Sequence, residues 1–336
     1  MWAGCTKYTA NAGIRELQRA IINFYAKDFG AEYEPREVMA TAGGKQAIFN
    51  AAVTLLNPGD EVLIPKPYWV TFPEIAVFAR AEPVYIETED TGFVLAVEQV
   101  ERAITPKTKL LILNSPSNPS GRVLPPSEFR KIMELTSERG IYVISDECYL
   151  RFVYSPGEVF SAASLPAELR SRLCIAGSFS KTYAMTGWRV GYALAPADWI
   201  KAMLKVQGHS TSNTNSIAQW AAVEALSGPQ ESVENMLAEY TKRRAWLLNA
   251  LREIPGFCCS EPEGAFYAFP DVRGCLKKEL KTSAEFAQRL LEEEHTVVTD
   301  GAGFGAEGFI RISYATSMEQ IKKGIERIKT FAQRHF

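Results

Sequence analysis

Ser178-Phe179-Ser180-Lys181-Thr182-Tyr183-Ala184-Met185-Thr186-Gly187-Trp188-Arg189-Val190-Gly191 is the stretch on which the reading of this chain turns. A lysine stands between small hydroxyl residues, just after the apolar, strand-like run Cys174-Ile175-Ala176-Gly177. An arginine follows eight positions later, leading into a second such run, Val190-Gly191-Tyr192-Ala193-Leu194. A lysine held at a strand end among small neighbours can lose its proton and attack a carbonyl to form a Schiff base. A nearby arginine supplies a planar, permanently charged fork that suits a phosphate. Lysine, hydroxyls and arginine together ask for a ligand with both an aldehyde and a phosphate, and pyridoxal phosphate is such a ligand. The competing reading is a surface lysine and a structural arginine in a loop between strands. What the rest of the chain supplies decides between them.

Upstream of this stretch, strand-like and helix-like runs alternate. Asn11 to Gly30 is helical, with Ile14, Leu17, Ile21 and Phe24 at helical spacing, Asn11 as cap and Gly30 as terminator. Val38-Met39-Ala40-Thr41 reads as a short strand, after which Gly43-Gly44 opens a helix through Lys45, Ile48, Phe49 and Val53. Further strands are expected at Glu61 to Ile64, Val84 to Ile86, Leu110 to Leu113 and Ile141 to Ile144, with helices between them. Buried strands alternating with helices predict an α/β fold built on a mainly parallel sheet covered on both faces. Such sheets bind ligands at the carboxyl ends of their strands. The polar punctuation falls there: Gly43-Gly44, Asn118, Asp146, and Ser178 to Lys181.

Downstream, helices are expected at about Asp198 to Lys205 and Ser216 to Leu226, then a long amphipathic helix from Glu231 to Ile254. The pattern then changes to the aromatic run Gly264-Ala265-Phe266-Tyr267-Ala268-Phe269 and a helix from Ser283 to Glu293. Strands at Val297-Val298 and Phe309 to Ser313 and a last helix from Met318 complete it. The expected division is a large cofactor-binding domain over residues 5–235 and a smaller C-terminal α+β domain over 236–336. Gly301, Gly303 and Gly305 imitate a dinucleotide loop, but the third glycine is misplaced and no βαβ unit surrounds them.

The 336 residues are 46% hydrophobic and 23% charged, in the range of a soluble globular protein. A net charge of −2 without basic blocks gives no reason to expect nucleic acid. No apolar run reaches membrane-spanning length and no signal-peptide pattern opens the chain, so a cytoplasmic protein is expected. Six cysteines without ligand-like spacing read as reduced thiols, and three scattered histidines give no basis for metal or triad chemistry.

A pyridoxal cofactor makes demands that these strand ends can be checked against. The ring nitrogen must stay protonated to act as an electron sink, and Asp146, ending the run Ile141 to Ser145, can be its carboxylate partner. Asn118 and Tyr149 can donate to the ring oxygen, and Trp69 can stack on the ring face. The phosphate needs backbone N–H groups at a helix start plus hydroxyls and a cation. Gly44 and Lys45, with Ser178, Ser180 and Arg189, supply these. Singly, Asp146 reads equally as a turn residue and Trp69 as a core aromatic; the set carries the argument.

Gly43-Gly44-Lys45-Gln46, Pro67-Tyr68-Trp69-Val70, Asn114-Ser115-Pro116-Ser117-Asn118-Pro119-Ser120-Gly121, Ser145-Asp146-Glu147-Cys148-Tyr149, the lysine stretch and Arg311-Ile312-Ser313-Tyr314-Ala315 together resemble the class I aminotransferases. The similarity runs from about Thr6 to the C-terminus and is nearest to the bacterial aspartate aminotransferase branch that carries Gly-Gly-Lys-Gln. It implies fold type I, a homodimer with shared active sites, and transamination between an amino acid and 2-oxoglutarate. By the same resemblance Lys181 is the Schiff-base lysine and proton shuttle, Asp146 pairs with the ring nitrogen, and Tyr149 and Asn118 with the ring oxygen. Trp69 stacks, while Arg189, Ser178, Ser180 and the Gly44 and Lys45 amides hold the phosphate. Arg311 grips the substrate α-carboxylate, Lys45 meets a second carboxylate, and Tyr8 reaches the phosphate of the partner subunit. The family's N-terminal segment, which supplies a dimer arm, a lid and a glycine contact to substrate, has no counterpart before Met1 to Cys5. Weaker association and altered lid closure are therefore expected. Ser120 replaces the usual threonine, a harmless exchange. The alternatives are an aromatic, prephenate or kynurenine aminotransferase, a β-lyase on the same scaffold, or a cofactor-binding domain or fragment without turnover.

Overall fold

Two sheets organise the chain in a computed structural model that describes residues 4–154, 159–277 and 280–335. The first has seven strands: β1 (Val38–Thr41), β2 (Glu61–Pro65), β3 (Glu82–Ile86), β4 (Thr108–Asn114), β5 (Tyr142–Asp146), β6 (Leu173–Ser178) and β7 (Gly191–Leu194). Their order is β1-β7-β6-β5-β4-β2-β3. β3, β2, β4, β5 and β6 run parallel to one another, while β7 is antiparallel to both β6 and β1. The link from Ser178 to Gly191 explains the reversal. It holds only a four-residue helix, Phe179–Thr182, and one 3-10 turn, Thr186–Trp188, not the full helix that usually carries a parallel crossover.

Side-chain alternation with a period of two sorts the strands' residues onto two cores. Leu111, Leu113, Val143 and Ile175 face one layer with α1 (Arg15–Phe29), α4 (Val97–Ala103), α5 (Pro126–Glu138) and α9 (Ser216–Ser227). Leu110, Ile112, Ile144 and Cys174 face the other, with α2 (Gly44–Val53), α3 (Thr71–Phe78) and α8 (Ala197–Gly208). Both faces are therefore covered, and the strands read as continuous apolar runs. Two short helices, α6 (Ala167–Arg170) and α7 (Phe179–Thr182), flank β6.

The second sheet is small: β8 (Tyr267–Ala268), β9 (Thr299–Asp300) and β10 (Ile310–Ser313), in the antiparallel order β8-β10-β9. It shares a core with α10 (Glu231–Arg252), α11 (Ser283–Glu294) and α12 (Met318–His335). That core also takes in Tyr149 and Phe152 from just beyond β5, so the two sheets meet behind the end of β5.

Two local expectations fail. Asn11 does not cap α1; Ile14 holds the cap position without a side-chain bond, and its N–H donates to Gln219 Oε1 at 2.7 Å. Helix α9 thus supplies an acceptor for the cap residue's own N–H. The strand expected at Val297-Val298 lies two residues later, at Thr299–Asp300. Val297 is 78% exposed, and the ladder with β10 pairs Thr299 with Arg311 and Asp300 with Ile310.

Candidate active site

The carboxyl ends of β1, β4, β5 and β6 converge on one cavity of about 360 Å³. Gly44, Lys45, Trp69, Asn118, Asp146, Tyr149, Ser178, Ser180, Lys181, Arg189 and Arg311 all line it. Of the residues singled out from sequence, only Tyr8 lies elsewhere, 92% exposed. Part of the Met1–Cys5 opening lies outside the described residues.

At one end of the cavity α2 begins. Gly43, at φ 87°, caps it, and a Cβ there would stand 2.7 Å from Arg189 Nη2. A Cβ on Gly191 would stand 2.5 Å from the Gly44 nitrogen. The two glycines let the start of β7 press against the first turn of α2, whose unpaired N–H groups and positive dipole end attract an anion. Arg189 is held in the left-handed region, φ 53°, a conformation that costs a non-glycine residue about 1–2 kcal/mol. Its Nη1 donates to the Thr186 carbonyl at 2.9 Å and its Nη2 to the Ala42 carbonyl at 3.3 Å. Ser178 Oγ accepts the Ser180 N–H at 3.1 Å at the head of α7, on which Lys181 sits.

Across the floor, the Asp146 carboxylate is buried and accepts one hydrogen bond among the described residues, from the Cys148 N–H at 3.0 Å. Burial pushes its pKa up to about 7. A buried carboxylate so thinly supported calls for a cation. The protonated nitrogen of a pyridine ring meets that need, so the residues present fit pyridoxal phosphate. Burial also raises the Cys148 thiol to about 12, which keeps it protonated. The Tyr149 phenol is raised well above its usual value, first by burial and then by Tyr267, and its hydroxyl lies 2.9 Å from that of Tyr267. It thus stays a neutral phenol, and either hydroxyl of the pair can be the donor.

The far wall comes from the small sheet. Arg311 Nη1 donates to Asn118 Oδ1 at 2.8 Å, and its Nη2 to Thr299 Oγ1 at 3.3 Å. The guanidinium lies between the rings of Tyr267 and Phe304, at 4.6 and 4.8 Å from their centres. Lys45 Nζ stands 4.7 Å from the centre of the Trp69 ring. Sequence reasoning missed Asn114, Cys148, Thr186 and Tyr267 as cavity residues. Tyr267 lay in the aromatic run already noted, but only the packing of the small sheet against β5 brings it to the site.

The Aminotransferase class I and II family profile matches residues 3–328. The aspartate aminotransferase of Geobacillus stearothermophilus is 43% identical over 337 residues, covering 98% of this chain and 84% of that protein. The aspartate/prephenate aminotransferase of Cereibacter sphaeroides is likewise 43% identical, with 98% and 84% covered. The crystal structure of the aspartate aminotransferase from Rhizobium meliloti superposes with a TM-score of 0.95 at 40% identity, over 99% of this chain and 85% of that one. The aromatic aminotransferase from Pyrococcus horikoshii gives 0.94 at 36% identity, over 99% and 89%. The chain belongs to the class I and II aminotransferases, and its fold is aminotransferase fold type I. Enzymes of this family use pyridoxal phosphate.

Proposed function

We propose that this chain is an aspartate aminotransferase, moving the amino group of L-aspartate to 2-oxoglutarate. The observation that carries the reading is a single cavity with two cationic side chains, Arg311 and Lys45, besides the Lys181, Asp146 and Arg189 set. A dicarboxylic amino acid has a carboxylate for each of the two. Arg311 takes the α-carboxylate through N–H groups at the edge of its guanidinium, whose faces Tyr267 and Phe304 cover, and Lys45 takes the distal one.

The α2 amides, Ser178, Ser180 and Arg189 hold the phosphate, Trp69 the ring face, and Asn118 with Tyr149 the ring oxygen. When bound, the cofactor withdraws electrons from the substrate Cα, and Asp146 keeps its nitrogen protonated for that purpose. Lys181 would hold the cofactor through its amine and would carry the proton to and from the substrate Cα. Residues 5–235 form the cofactor-binding domain and 236–336 the small one. The active unit is a cytoplasmic homodimer in which Tyr8 of each protomer reaches the other's phosphate. No helix among the described residues is long and apolar enough to cross a membrane.

A second reading, a broad or aspartate/prephenate specificity, is favoured by the name of the Cereibacter sphaeroides relative, since prephenate also carries a second carboxylate for Lys45. Steady-state assays with aspartate, phenylalanine and alanine as donors, and with 2-oxoglutarate and prephenate as acceptors, test both. A preference for aspartate over phenylalanine of tenfold or more in kcat/KM is expected, and equal use of the three donors would overturn the assignment.

A further inference from the structure

Asn114, at the last position of β4, makes two hydrogen bonds with its side chain. Its Nδ2 donates to the Asp146 carbonyl at 3.1 Å, and its Oδ1 accepts the Asn118 N–H at 2.8 Å. Asn118 is buried, 6% exposed, and its own Oδ1 accepts from Arg311 Nη1 at 2.8 Å. Asp146, Asn114, Asn118 and Arg311 are therefore joined in series from the end of β5, through the end of β4, to β10 of the small sheet. The series crosses between the two sheets along the floor of the cavity.

The two halves of the Asn114 amide are unequal. The Asp146 carbonyl also accepts the Ser115 N–H at 3.2 Å, so it keeps a partner without Asn114. No second acceptor is recorded for the Asn118 N–H among the described residues. A buried N–H deprived of its acceptor bears the full desolvation cost, and the segment must move to find another partner. Any such movement carries Asn118 Oδ1 away from Arg311.

We propose that Asn114 is a positioning residue for substrate: through Asn118 it sets the guanidinium of Arg311 for the α-carboxylate. The acceptor half of its amide does this work. This rests on the reading of Arg311 as the carboxylate-binding group.

The test is calorimetric titration of the cofactor-loaded protein with maleate, a dicarboxylate without an amino group. Wild type, Asn114→Ala, Asn114→Asp, Asn118→Ala and the Asn114→Ala/Asn118→Ala double variant are compared, with cofactor affinity of each measured separately. Asn114→Ala should weaken maleate binding about tenfold, and by a clearly larger factor than it weakens cofactor binding. Asn114→Asp, which keeps an acceptor for the Asn118 N–H, should stay within about threefold of wild type. The double variant should bind maleate no more weakly than Asn118→Ala alone, because the first residue acts through the second. Unchanged maleate affinity in Asn114→Ala, multiplicative losses in the double variant, or equal losses in the Ala and Asp variants would each overturn the proposal. If Asn114→Ala does not fold, the Asp variant decides: a tenfold loss there refutes the acceptor role. Failure of wild type to bind maleate would refute instead the reading of the site as one for dicarboxylates.

Discussion

The Cβ that Gly43 lacks would stand 2.7 Å from Nη2 of Arg189. A Cβ there would push the guanidinium, the flexible end of Arg189, from its place across the start of α2. Gly43→Ala adds that atom at a φ of 87°, where an L side chain is strained as well. The variant should fold, since α2 remains anchored by Ala47, Ile48 and Ala51 in the core. It should hold pyridoxal phosphate about tenfold or more weakly, measured by titrating the cofactor into the stripped protein.

Asp146 gives the cofactor-free protein a signature in pH. Its pKa in the folded state, about 7, lies above the ordinary carboxyl value. The folded state therefore binds more protons than the unfolded one between about pH 4 and 7, and stability falls as pH rises through that window. Glu147, also pushed up to about 7 by burial, adds to the trend. Asp146→Asn removes one of the two contributions. Thermal melts of the stripped protein from pH 5 to 8 should show a decline that is shallower in the variant. A spread of at most about 4 kcal/mol is set by a shift of roughly three pKa units. Identical slopes would show that the Asp146 carboxyl titrates normally.

Lys45 and Trp69 face each other at 4.7 Å, so the ammonium rests on the indole and is placed to meet a carboxylate entering the cavity. Removing one partner of a largely desolvated charge pair costs about 2–5 kcal/mol. Lys45→Ala should lower kcat/KM for aspartate by roughly 30-fold or more, at about 1.4 kcal/mol per decade. Phenylalanine should be affected far less. Equal losses for the two donors would reduce Lys45 to a support of the phosphate cradle.

Much of this was legible along the chain because the large sheet is built from local signals. Buried strands of a few residues end in polar groups, and Asp146, Ser178, Lys181 and Gly44 could be placed at those ends without knowing how the strands are ordered. The small sheet was harder. Val297-Val298 looks like a strand from its β-branched residues, yet position in the ladder is fixed by pairing with β10 and leaves Val297 exposed. Tyr267 and Phe304, which sandwich Arg311, come from separate segments joined only by tertiary packing. The cap of α1 failed for the same reason: its acceptor, Gln219, is 205 positions away.

Lys181 should be irreplaceable. Lys181→Ala removes the nucleophile and the proton carrier together, and should lower turnover by many orders of magnitude while cofactor still binds non-covalently through the α2 and Arg189 cradle. Turnover of the variant at a rate comparable to wild type would assign the chemistry to another group.

Central to the account is a lysine-bound cofactor that takes nitrogen from a dicarboxylic donor, and a half-reaction reads this most directly. The purified, cofactor-loaded protein is mixed with L-aspartate in the absence of any acceptor, and its visible absorbance is followed. The account predicts loss of the yellow colour, release of one oxaloacetate per site, and return of the colour on adding 2-oxoglutarate. Colour that persists with aspartate but is bleached by phenylalanine or alanine would contradict it.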